Sequence, residues 1–159
     1  KDEKDVAALP KGLRLILLRF IANIAGSAAG AKWLETNYES ITKKVLKNIS
    51  YFQTEPAALT AVLMLTMNFI QNAEKDSKVL EKESKEFLDH FAKVFAKDND
   101  EATSLALVMN MCWLGYKVKD VRAQIKKMPE MEKVEKLRNT AIDGKLAKAC
   151  KDLQTLTAQ

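Results

Sequence analysis

The sequence is poor in chain breakers and poor in the side chains that do chemistry. Five Gly and three Pro in 159 residues leave little to interrupt helix. There is one His, His90, and there are two Cys, Cys112 and Cys150. A lone His cannot build a metal site, and the wide Cys spacing matches no metal or redox motif. Both Cys stand in helical, semi-apolar contexts and read as reduced small hydrophobes of an intracellular protein. No Gly-rich phosphate loop occurs, and no carboxylate pair sits in an apolar setting that would tune it for acid–base work. No run is apolar and long enough to span a bilayer, and no secretory signal opens the chain. The expectation is a non-enzyme without metal or cofactor, cytoplasmic, with the nucleus as a second location.

What is abundant is helix former. The chain is 47% hydrophobic and 30% charged, a globular composition rich in Ala, Leu, Lys and Glu. Its net charge of +5 describes either a solvated surface or a preference for an acidic partner. Residues 1–9 read as a linker, and 10–159 as one all-α domain.

Pro10 and Gly12 open a helix over about 11–25, and a short one is expected in 28–36. Residues 38–49 form another, with Ile41, Val45 and Ile49 on one face. Thr54 is a candidate cap for a long apolar helix over 56–73, with Pro56 in its first turn. Helix 77–97 carries the stripe Leu80, Phe87, Phe91 and Phe95. An apolar helix over 100–115 stops at Gly115. Three shorter helices follow, the second from Pro129 to about 141 and the last over 143–157. No alternating run suggests a strand.

Apolar helices thus alternate with amphipathic ones. Asn23, Asn68 and Asn110 fall at matching places in three apolar helices, at intervals of 45 and 42 residues. A period in the forties is the signature of armadillo or HEAT repeats, so the expected architecture is a helical repeat solenoid.

Four segments in order, "LRLILLRFIANIAGSAAGAKWLE", "PAALTAVLMLTMNFIQNAEKD", "DNDEATSLALVMNMCWLG" and "VKDVRAQIKKMPEMEKVEKL", cover most of residues 13–140. Together they resemble the PUL domain, which occurs in phospholipase A2-activating protein and in thioredoxin-like or desumoylase-like fusions. The resemblance implies an armadillo-like fold that binds the acidic, aromatic-ended C-terminal tail of the AAA ATPase p97 (Cdc48) in ubiquitin-linked processes. The sequence departs from the family near Leu105, where the family carries an Arg, and around Met111, where it carries a Gly.

In "LLRFIANIAG", Arg19 and Asn23 stand one turn apart in an apolar helix and share a face. If that face lines a groove, Arg19 offers a planar fork to a carboxylate and Asn23 pairs with a peptide backbone. Asn68 and Asn110 would extend the ladder, and Asn72 either joins it or caps its helix. The bland alternative is that these groups cap loops or bond neighbouring helices. Trp113 is balanced between stacking on a peptide and filling the core, whereas Trp33 reads as core. Arg14 and Lys32 could add charge beside Arg19, although a solvated face explains them better. His90 is expected on the exposed side of its helix, beside Asp89. Met64, Met67, Met109 and Met111 suit a core. The basic "KVKDVRAQIKK" lacks interleaved aromatics, which leaves nucleic acid a weak third reading behind a peptide-binding module and a packing scaffold within a larger chain.

Overall fold

The computed structural model describes residues 8–159, so most of the expected linker lies outside the described residues. They form ten helices and no strand: α1 (Lys11–Ile24), α2 (Ala28–Thr36), α3 (Thr42–Lys47), α4 (Ile49–Phe52), α5 (Pro56–Asn72), α6 (Lys78–Phe95), α7 (Glu101–Lys117), α8 (Val121–Lys126), α9 (Met131–Thr140) and α10 (Gly144–Ala158). The chain divides into two compact units, one ending at Val79 and one starting at Leu80.

The first unit is built around α5, which packs against α1, α2, α3 and α4. α5 buries Leu59, Val62, Leu63, Leu65, Phe69 and Ile70, apolar residues on most of its circumference, as a central helix must. Tyr38 stacks on Phe69 with ring centroids 6.3 Å apart. Ser27 caps α2 through the N–H of Gly30. Gly30 then lies so close to α1 that a Cβ there would stand 1.7 Å from the carbonyl oxygen of Ile24. No side chain fits this helix–helix approach. Glu35, near the end of α2, accepts hydrogen bonds from Ser77 Oγ at 2.7 Å and from the N–H of Val79 at 3.3 Å. Its negative charge therefore meets the first amides of α6.

The second unit centres on α10, which packs on α7, α8 and α9. Asp100 caps α7 and Asp143 caps α10. Glu101 does more than favour the helix dipole. Its two carboxylate oxygens accept the N–H groups of Ile142 and Asp143 at 2.7 and 2.9 Å. At the other end of α6, the Lys133 ammonium donates to the carbonyls of Phe95 and Lys97 at 2.6 and 2.7 Å and so closes that helix C-terminus.

Several expectations need correction. The helix expected over 38–49 is a turn followed by α3 and α4, broken at Asn48. The Asn48 side-chain amide bonds back to the Lys44 carbonyl, competing with the backbone ladder. Thr54 does not cap α5; its hydroxyl donates to the Tyr51 carbonyl, and Glu55 occupies the cap position. Gly115 does not stop α7. It is buried, and a Cβ there would meet Leu156 Cδ2 at 3.0 Å and Ile125 Cδ1 at 3.5 Å, so it admits α10 and α8 closely. His90 is buried because it shares the face of Phe87 and Val94, three and four residues away. Trp33 is 47% exposed; α2 buries Ala31 and Leu34 and leaves Trp33 off that face.

Candidate functional site

The residues singled out in the apolar helices part company in three dimensions. Arg19 and Asn23 are exposed on α1. Neither side chain makes a hydrogen bond or ion pair among the described residues. At about 100° per residue, α1 buries an arc holding Arg14, Leu18, Ile21 and Ala22. The opposite arc holds Leu13, Ile16, Arg19, Phe20 and Asn23. Leu13, Ile16 and Phe20 are 53%, 67% and 61% exposed. Spaced by three and four, they form a continuous apolar stripe with Arg19 and Asn23 along one edge. Sequence reasoning missed this stripe. Its signal was present, since α1 carries large apolar residues on both sides and one helix face suffices to reach a core.

Asn68 and Asn72 are half-buried, and their amides serve α1. Asn68 Nδ2 donates to the Ala22 carbonyl at 3.0 Å, and Asn72 Nδ2 donates to those of Ala25 and Asn68 at 3.2 and 2.9 Å. The last carbonyls of a helix have no intrahelical donor, and these two amides supply one from outside. Their donors act in helix-to-helix bonding inside the unit, and the expected surface ladder does not run through them. Asn110 is fully buried in α7 and donates to the Ala106 carbonyl at 2.8 Å, so it lines no surface.

Arg14 does not join Arg19. It points the other way and is 3% exposed, paired with Glu55, donating to the Leu9 carbonyl at 3.0 Å and lying 5.2 Å over the Tyr51 ring. Glu55 holds the N-cap position of α5 without a side-chain capping bond, and its carboxylate is taken by the guanidinium instead. Lys32 is exposed, as a solvated face requires.

In the second unit Trp113 is half-buried and meets Tyr116 edge-on, ring centroids 5.8 Å apart. Beside it runs a half-open cavity of about 340 Å³ between α7 and α10. Leu105, Met109, Cys112, Trp113 and Ala149 line it, together with Lys145, Lys148 and Asp152. Burial pushes the Cys112 thiol up to about 12 and the Cys150 thiol up to about 11, so both are held protonated and neither is set up as a nucleophile. Cys112 Sγ instead faces the Ala149 carbonyl at 3.7 Å. Burial also lowers the His90 pKa, aided by Lys93, against a smaller opposing pull from Asp89. Among the described residues no three His, Cys, Asp or Glu side chains gather as metal ligands. No helix among them is long and apolar enough to cross a membrane.

Among the described residues these observations define an all-α fold with an exposed apolar and cationic helix face in its first unit and an apolar cavity between α7 and α10 in its second. No family model, no curated protein and no solved structure matches the chain.

Proposed function

We propose that the chain is a protein-interaction module of the armadillo type that holds an extended acidic peptide. By its resemblance to the PUL domain, that peptide is the C-terminal tail of p97 (Cdc48). The observation that carries the reading is the α1 face, where Arg19 and Asn23 stand exposed and without partners among the described residues, beside Phe20 and Ile16. A guanidinium fork suits a carboxylate, a side-chain amide suits a peptide backbone, and the stripe suits an aromatic ligand residue. Each unit also contains a predominantly apolar helix, α5 or α7, as stacked helical repeats do. A packing scaffold within a larger chain is the second reading, favoured by the three large apolar side chains on α1, which would equally dock a neighbouring domain.

The test is fluorescence anisotropy of a labelled p97 tail peptide titrated with the wild-type chain, Arg19→Ala and Phe20→Ala. Saturable micromolar binding that Arg19→Ala weakens at least tenfold, about 1.4 kcal/mol, is expected. Absence of saturable binding by folded protein overturns the peptide reading in favour of the scaffold.

A further inference from the structure

The cavity between α7 and α10 plays no part in the α1 face and belongs to a different unit. Its walls are the side chains of Leu105, Met109 and Trp113 from one helix and Ala149 from the other, and Cys112 contributes a thiol that stays neutral. At about 340 Å³ it has the size of a small-ligand site. Its lining is unsymmetrical in charge. Lys148 and Asp152 both line it, and they pair one turn apart on α10 at 2.8 Å, so the two cancel. Lys145 also lines the cavity and has no carboxylate partner among the described residues. The site therefore offers an apolar slot with one uncompensated cation on its lining.

We infer that this cavity binds a small amphipathic monoanion: a flat aromatic or short alkyl body carrying one carboxylate. The body lies against Trp113, Met109 and Leu105, and the carboxylate meets the Lys145 ammonium. Burial of the apolar body supplies the affinity, and the single charge pair supplies the preference for an anion over its neutral amide. The inference stands apart from the peptide reading, since it uses none of the α1 residues.

The experiment titrates the wild-type chain with 2-naphthoate, its neutral counterpart 2-naphthamide, and octanoate. Calorimetry gives affinity, and amide chemical shifts give location. Saturable one-to-one binding of 2-naphthoate is expected, with shifts concentrated at Met109, Trp113 and Ala149. The neutral amide should bind at least fivefold more weakly. Lys145→Gln, at an exposed helical position that tolerates the change, should remove that difference by weakening naphthoate alone. Leu105→Glu places a carboxylate in the slot and should weaken naphthoate more than tenfold while leaving the helical circular dichroism intact. The inference is overturned if no ligand saturates, if the shifts fall elsewhere, or if the amide binds as well as the acid.

Discussion

The side-chain amide of Asn68, on α5, donates a hydrogen bond to the backbone carbonyl of Ala22, on α1, across 3.0 Å and 46 positions of chain. One turn later Asn72 does the same for Ala25. The two asparagines are thus an external cap for the C-terminal end of α1, supplied by the helix that packs most extensively against it.

Asn68→Ala removes a donor and leaves a partly buried carbonyl without that partner. A loss of about 1 kcal/mol in unfolding free energy is expected, somewhat more if water cannot reach Ala22. The amide touches the peptide site only through the field at the end of α1, so peptide affinity should fall, by no more than about twofold. Urea unfolding and the anisotropy titration, run on the same variant, check both halves.

Gly30→Ala should be far more damaging. Overpacking a core usually costs about 1–3 kcal/mol, but here the added carbon collides with a backbone oxygen that cannot rotate away. The expected result is a loss at or beyond the upper end of that range, measured as urea midpoint. Gly12→Ala, where an added Cβ meets nothing within 4 Å, is the matched control and should be neutral or slightly stabilising.

Arg14 and Glu55 form a nearly dry ion pair, their side chains 4% and 12% exposed. Removing one partner strands the other, whereas removing both leaves only space and apolar surface. Arg14→Met alone and Glu55→Leu alone should each lower Tm, and the double variant Arg14→Met/Glu55→Leu should lose less than the two single losses combined. A double loss equal to their sum would show that the charges are not coupled.

His90 sets a pH dependence. The residue is 8% exposed, Nε2 has no hydrogen-bond partner among the described residues, and the Glu86 carboxylate is 3.7 Å away. Burial holds the folded pKa below the ordinary value of 6.5. Above pH 6.5 both folded and unfolded states are neutral at His90, and it contributes nothing to the pH slope. As pH falls through 6.5 the unfolded chain takes up the proton first, so stability drops until the lowered folded pKa is passed. Urea midpoints measured from pH 7.5 down to pH 5 should fall in wild type, and His90→Gln should flatten that part of the curve.

Helix content and most helix positions were legible in the sequence because few breakers interrupt it and the apolar periodicity is strong. Phe87, Phe91 and Phe95 are buried together, as their spacing requires. Position on a face was less legible where a polar residue could serve either water or a neighbouring helix. Asn23 and Asn68 occupy matching places in the pattern, yet one is exposed and the other bonds Ala22. Nothing local distinguishes them; the difference is made by which carbonyl lies opposite. His90 and Trp33 exchanged their expected environments for a similar reason, since packing buries the face that His90 shares with Phe87 and, on α2, the face of Leu34 that Trp33 does not share. The apolar stripe of Leu13, Ile16 and Phe20 was hidden because exposed and buried leucines read alike in a linear sequence.

The external cap on α1 also shapes the electrostatics of the proposed peptide site. Arg19 and Asn23 lie in the last turns of α1, where unmet carbonyls concentrate the negative end of the helix dipole. Left bare, that end would repel an incoming carboxylate. Asn68 and Asn72 bring two N–H dipoles to those carbonyls from α5 and blunt the negative field. The amides that drop out of the binding surface thereby make the end of α1 beside Arg19 and Asn23 less hostile to an anion.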